Sequence, residues 1–346
     1  MNNYRTAIVF QGGGALGAYE YGVIKALYEE RRGFKPAVVT GISIGAINAA
    51  LLVGAKNDPL ETLDQLWRKR FVEILPSAAR IWFGPYCTRQ IEESLSTIGN
   101  PGMYRLRPDA MLAPMLATSF YSLEPLRQTL WELISLDNLN RSEGTHVVLG
   151  AVNVASGTPQ YFDNHKHRLE IDHIIASGSL PPAFPMTPIG GEHYWDGGLF
   201  LNTPLSPAIN CLEQIQGDVR RELIVVELFP SSAPLPTDMT EVTNRLSQLI
   251  FASKLKIDRK LFTTINNIIE FLQKLDPHIP PPLRAEPAYQ ELFARHKKID
   301  AFTVITANFP DDEANAGDFS QDTIESRIKL GYEQAKKQNI GEPHPV

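Results

Sequence analysis

Thr6-Ala7-Ile8-Val9-Phe10-Gln11-Gly12-Gly13-Gly14-Ala15-Leu16-Gly17 reads as a buried strand, a glycine turn and the start of a helix. The helix is predicted over 18–30, with Tyr21, Ile24, Ala26, Leu27 and Tyr28 mostly on one side. Ala37-Val38-Val39-Thr40 then predicts a second strand, and residues 43–54 a second helix. That helix is small or apolar almost all round (Ile44, Ala46, Ile47, Ala49, Ala50, Leu51, Leu52), which places it in the middle of the fold. Strand–helix–strand–helix order points to a parallel sheet covered on both faces.

The connections in this stretch carry chemistry. Gly41-Ile42-Ser43-Ile44-Gly45 has the G-x-S-x-G form, with a β-branched strand before it and a helix after it. A serine on such a corner must hold a sparsely populated backbone conformation, and Gly41 and Gly45 relieve the crowding. The competing reading of Ser43 is an ordinary helix N-cap. Gly12 to Gly17 also fits G-x-G-x-x-G, the dinucleotide-binding fingerprint. That fingerprint needs an acid at the end of the second strand to hold a ribose. Here the strand ends Val38-Val39-Thr40-Gly41 and runs into the serine corner instead. The three glycines Gly12, Gly13 and Gly14, with Ala15, read better as a run of N–H donors for an oxyanion, each such donor typically worth about 3 kcal/mol.

A carboxylate follows in Tyr194-Trp195-Asp196-Gly197-Gly198, reached through a short hairpin from Ser179-Leu180-Pro181-Pro182-Ala183-Phe184-Pro185 and closed by Asn202-Thr203-Pro204. An Asp-Gly pair is common in plain turns. The two aromatics before Asp196 would shield it from water and raise its basicity. A Ser-His-Asp order would need a histidine after the acid. His278, His296 and His344 follow it, but none is framed by strand-end and glycine signals. The residues therefore favour a Ser43–Asp196 dyad, with a triad left open.

Together these segments resemble the patatin-like phospholipases. The resemblance covers roughly residues 5–210: glycine loop, serine corner, Ser179–Pro185 segment and Asp-Gly-Gly turn, in family order. It implies a three-layer α/β/α sandwich with a mainly parallel central sheet. It also implies a lipid acyl-ester hydrolase of phospholipase A or lysophospholipase type. Ser43 would attack, Asp196 would activate it, and the amides of Gly13 and Gly14 would hold the oxyanion. No metal or organic cofactor is implied. Many members carry Arg or Lys where this chain has Leu16, so that cation's electrostatic help is absent and substrate preference is affected. A storage-polyester depolymerase or short-chain esterase with the same dyad is the rival within hydrolases. From other classes, the rivals are a nucleotide-binding oxidoreductase and a catalytically silent lipid-binding scaffold.

Composition narrows the setting. The 346 residues are 43% hydrophobic, ample for a large core, and the net charge of -6 argues against nucleic acid as a partner. Only Cys87 and Cys211 occur, which excludes a disulfide framework or Cys-rich zinc site and suits a reducing compartment. No secretory signal is visible and no stretch is long and apolar enough to span a bilayer, so a cytoplasmic protein is expected. The expected division is a catalytic domain over 1–210 and an extension over 211–346 of strand, long amphipathic helix, strand and helix, packed on the same sheet.

The long helix is predicted over 238–275. Val242, Leu246, Leu249, Ile250, Ile257, Leu261, Ile265, Ile268, Ile269, Leu272 and Leu275 form its apolar stripe, beside basic Lys254, Lys256, Arg259 and Lys260. Packing against its own sheet or a second copy of the chain is the preferred reading. Transient contact with the inner membrane surface is the alternative.

Overall fold

The structure, a computed structural model, describes residues 4–72, 91, 92, 94–229, 232–252, 255–310 and 313–345. Cys87 and Lys254 lie outside the described residues, as do the side chains of 255–259 with their share of the basic patch.

Eight strands form the central sheet: β1 (Tyr4–Phe10), β2 (Val38–Ile42), β3 (His146–Asn153), β4 (Pro159–Asp163), β5 (Thr187–Ile189), β6 (Glu192–Asp196), β7 (Arg220–Glu227) and β8 (Ala301–Thr306). The run β8-β7-β1-β2-β3 is parallel throughout, whereas β4 and β6 pair antiparallel with β3, and β5 with β6. The helices that cover this sheet or frame the site are α1 (Gly17–Glu30), α2 (Ile44–Gly54), α3 (Ile171–Ser177), α4 (Leu205–Gln214), α5 (Met239–Ala252), α6 (Leu255–Leu275) and α7 (Gln321–Lys337).

Strand alternation sorts the core into two layers. Ile8, Phe10, Val39, Val147, Leu149, Ile224 and Val226 face one way, into a cluster with α1, α2 and α7. Ala7, Val9, Val38, Val148, Leu223 and Val225 face the other way, into a cluster with Leu205, Ala208 and Leu212 of α4 and Phe262 of α6. Burial of one such side chain stabilises the fold by about 1.5–3 kcal/mol, and only a sheet covered on both faces can use both sets. The result is the three-layer α/β/α sandwich, with a mainly parallel sheet and a helical C-terminal region.

Several element readings shift. The spacing of Leu63, Leu66, Trp67 and Arg70 predicts one helix; the structure has an α-helix over Pro59–Gln65 that widens into a π turn over Leu66–Arg70, where Leu66 and Trp67 are fully buried. The proline-rich stretch Pro277–Pro287 reads as a break in the helical pattern, yet it contains a short helix, Pro281–Arg284, and another helix starts at Pro287. Proline is at home there, because the N–H groups of a helix's first residues make no intrahelical hydrogen bond to lose. The long helix predicted over 238–275 is described as α5 and α6. Among the described residues no helix is long and apolar enough to cross a membrane.

One edge of β3 sets up the site. Val148, Leu149 and Gly150 pair with both β2 and β4, and Ala151 and Val152 pair with both β4 and β6. A strand has two edges, so β2 and β6 must share one of them. β2 stops at Ile42 opposite Gly150, and β6 stops at Asp196 opposite Ala151, the next residue along. The two strands point at each other end to end, and their last residues deliver Ser43 and Asp196 to the same place.

Candidate active site

Ser43 stands between β2 and α2 with φ 56° and ψ -122°, a conformation that costs a non-glycine residue about 1–3 kcal/mol. The surroundings hold it there. A Cβ on Gly41 would lie 2.2 Å from the carbonyl oxygen of Gly45, so the chain can fold back this tightly only with glycine at 41. The Ser43 N–H donates to Ser177 Oγ (3.0 Å), and that hydroxyl donates in turn to the carbonyl of Gly150 (2.6 Å). Ser177, the last residue of α3, thereby fills the gap where β2 leaves the ladder. The Ser43 carbonyl accepts the N–H groups of Ala46 (3.0 Å) and Ile47 (3.2 Å), starting α2. Its side chain makes no capping bond, contrary to the N-cap reading.

That hydroxyl lies beside Asp196 at the cavity wall and favours its carboxylate form. The Asp196 carboxylate accepts the N–H of Gly198 (2.8 Å), and its own N–H donates to the carbonyl of Ser179 (3.0 Å). The side chain is 2% exposed. Burial pushes its pKa up to about 7, outweighing the Ser43 hydroxyl and the Gly198 N–H, which favour the anion. Gly197 sits where a Cβ would come within 2.6 Å of the Gly150 carbonyl oxygen.

The glycine loop divides the four expected donors in two. Gly12 N–H is taken by the Asn202 carbonyl (3.3 Å), and the Asn202 amide donates back to the Gly12 carbonyl (2.9 Å). Ala15 N–H is taken by the Ala316 carbonyl (2.8 Å). Gly12 and Ala15 therefore spend their amides on fixing the loop, which corrects their reading as oxyanion donors. Gly13 and Gly14 stay at the cavity wall beside Ser43. Leu16 is buried in the core.

Ser43, Asp196, Gly13 and Gly14 open onto a cavity of about 330 Å³. Its walls are largely apolar: Ile44 and Ile47 from α2, Leu180 and Phe184 from the segment before β5, and Phe229, Phe251 and Phe319 from beyond residue 210. Ser247 and Phe251 place α5 over this cavity, with Phe251 packed on Phe229 at a ring-centroid distance of 5.5 Å. Among the described residues no histidine lines it. His146 pairs with Asp163 and His296 with Glu213, both away from the cavity.

A family model described as patatin-like phospholipase matches residues 8–209, more than half of the chain. The chain belongs to the patatin-like phospholipase family. Two curated relatives named patatin-like phospholipase domain-containing proteins, from Chaetomium globosum and Pyricularia oryzae, are 44% and 45% identical over 62 residues, 18% of this chain. The matched stretch spans only 7% and 8% of those relatives' lengths. Among solved structures, VipD from Legionella pneumophila aligns over 97% of this chain and 66% of its own, at 14% identity and a TM-score of 0.43. ExoU of Pseudomonas aeruginosa, in its complex with SpcU, aligns over 97% of this chain and 52% of its own, at 16% identity and a TM-score of 0.34.

Sequence reasoning missed Gln11, Ser177, Ser179 and Asn202 as supports of the site. Gln11 Oε1 accepts the N–H groups of Leu228 (2.6 Å) and Phe229 (3.2 Å), and its amide donates to Thr203 Oγ1 (2.9 Å). These side chains act on backbone groups far away in the chain, and no local spacing marks such a role.

Proposed function

We propose that this patatin-like chain is a serine acyl hydrolase that cleaves carboxylic esters of lipids, of phospholipase A or lysophospholipase type. The observation that carries the reading is the buried Asp196 carboxyl, set beside Ser43 on the wall of an apolar cavity and raised to about 7. A carboxylate with that proton affinity can take a hydroxyl proton at neutral pH and return it.

Asp196 accepts the Ser43 proton as Oγ bonds to the ester carbonyl carbon. The oxygen that becomes negative faces the N–H groups of Gly13 and Gly14 at the positive end of α1. Collapse expels the alcohol, which takes the proton from Asp196. Water then gives a proton to Asp196 and attacks acyl-Ser43, and the proton passes back to Ser43 as the fatty acid leaves. One carboxyl thus serves as base and acid in both halves. The apolar walls suit an acyl chain, and residues beyond 210 supply part of them, so the reading takes 1–210 as the bearer of the reacting groups and 211–346 as the rest of the acyl pocket.

Access from a lipid surface belongs to the same reading. α5 carries Ser247 and Phe251 on its cavity side, while Leu246, Leu249 and Ile250 are 50–58% exposed. An apolar outer face directly above an apolar cavity suits transient contact with a membrane surface.

Ser43→Ala tests the chemistry. Turnover of p-nitrophenyl esters and of phospholipid should fall by roughly 10⁵–10⁶-fold with circular dichroism unchanged. Retained turnover would refute the nucleophile. A panel of short esters, lysophospholipids and phospholipids then separates a lipid hydrolase from a short-chain esterase.

A further inference from the structure

At the opposite end of the sheet, three side chains from three elements converge. His146 begins β3, Asp163 ends β4, and Cys211 lies on α4. His146 Nε2 is 2.5 Å from Asp163 Oδ1 and 3.8 Å from Cys211 Sγ, and the three ligand atoms all lie within 4.8 Å of one another. All three residues are buried, with 9%, 3% and 5% exposure. They sit some four residues down β3 from Gly150, about 13 Å from the catalytic edge at about 3.3 Å per residue.

We propose that His146, Asp163 and Cys211 form a binding site for a transition-metal dication, Zn²⁺ being the best fit. A hydrogen bond needs one direction from Nε2, yet this atom faces both an oxygen and a sulfur. Three unlike donors around one point is the arrangement a cation takes. Imidazole nitrogen with thiolate sulfur selects borderline-soft ions over Mg²⁺ and Ca²⁺. Tetrahedral Zn²⁺ with bonds of about 2.0–2.3 Å holds its ligand atoms roughly 3.3–3.8 Å apart. The His146–Cys211 separation already fits, and the His146–Asp163 pair has to open by less than about 1 Å.

The supports of such a site are present. Asp163 Oδ1 accepts the N–H of His165 (2.9 Å), and Oδ2 is held by Lys166 Nζ (3.1 Å), which orients the carboxylate. The Lys166 side chain is 63% exposed, so solvent screens its charge from an incoming cation. The His165 ring stacks on His146 at 4.0 Å and restrains its orientation. A cavity of about 710 Å³, lined by His146, His165, Lys166 and Cys211, reaches the cluster and leaves room for water as fourth ligand. On binding, the Cys211 thiol proton leaves to solvent and the His146 imidazole takes its Nδ1–H tautomer, freeing the Nε2 lone pair. One proton is released per ion.

Metal-free full-length protein titrated with Co²⁺ tests this. The expected result is one equivalent bound, with a near-ultraviolet thiolate-to-metal charge-transfer band that Zn²⁺ abolishes by displacement. Cys87→Ser and Ser43→Ala keep the band, Cys211→Ser loses it, and His146→Gln weakens Co²⁺ binding at least tenfold. No band in the unaltered protein, or a band that survives Cys211→Ser, overturns the proposal. A second measurement needs no variant: Zn²⁺ should slow maleimide labelling of Cys211 at least tenfold while labelling of Cys87 is unchanged. Equal Cys211 rates with and without Zn²⁺ would also overturn it.

Discussion

Asp196 carries a burial cost that shows in its protonation. Its folded pKa of about 7 lies above the ordinary 3.8, so the folded state holds the proton more tightly than the unfolded chain. Its contribution to stability is fully present below pH 3.8 and is lost as pH rises through about 7. Over that window the loss amounts to roughly 4 kcal/mol. Asp196→Asn removes the titration and should therefore melt at a higher temperature than the parent protein at pH 8, while its ester turnover falls by at least 10⁴-fold. Scanning calorimetry at pH 5 and pH 8 checks the first part, and an equal or lower melting temperature at pH 8 would contradict it. For the unaltered protein, kcat/KM should rise with pH and level off above about 7, because the proposed base must be ionised to act. A profile flat from pH 5 to 9 would show that another group sets the rate. Ser177 allows a subtler test. Ser177→Ala leaves the Ser43 N–H and the Gly150 carbonyl without their partner, at a cost of about 1–3 kcal/mol in stability. On the proposed reading the Ser43 backbone loses its anchor, so kcat should drop about 10–100-fold with KM little changed.

Among the elements, the corner between β2 and α2 and the helix over the cavity behave oppositely. The corner is rigid. Gly41→Ala would drive a methyl group to 2.2 Å from the Gly45 carbonyl oxygen, and backbone cannot give way as a side chain tip can. The variant should lose several kcal/mol of stability in urea denaturation, and a change below about 1 kcal/mol would mean the corner can relax. α5 presents apolar residues to solvent as well as to the cavity. Leu249→Asp together with Ile250→Asp should leave hydrolysis of a soluble short ester within twofold. The same pair should cut activity on phospholipid vesicles at least tenfold, with matching loss of vesicle flotation. Equal loss on both substrates would instead mean that α5 only shapes the cavity.

In the whole molecule, the chain beyond residue 210 is part of the sheet that carries the site. β7 lies between β1 and β8, Ala316 holds the glycine loop through Ala15, and α7 packs directly on α1. The approach of these helices is close enough that a Cβ on Gly331 would lie 2.1 Å from the carbonyl oxygen of Tyr19. A chain ending at residue 210 should accordingly fail to unfold cooperatively and show no turnover. A soluble, active 1–210 fragment would show that the later strands are dispensable.

Local signals made much of this legible from sequence. The strand–helix alternation, the G-x-S-x-G corner, the triple glycine and the Asp-Gly-Gly turn are read within a few residues, because backbone conformation and periodicity are local properties. The order of those motifs, together with the absence of a ribose acid after β2, was enough to separate the patatin-like pattern from a dinucleotide-binding one. Other features depend on contacts between distant segments. Local spacing alone does not set Gly12 and Ala15 apart from Gly13 and Gly14; Asn202 and Ala316, remote in the chain, do so by taking their amides. The convergence of His146, Asp163 and Cys211 leaves no spacing to recognise, since each comes from a different element. The sequence alone determined which groups the chain possesses and which local shapes present them. Tertiary structure decided that β2 and β6 share an edge of β3, so that Ser43 meets a carboxyl that burial has made basic. Pairing register and desolvation arise only when remote segments pack together, and no window of sequence contains them.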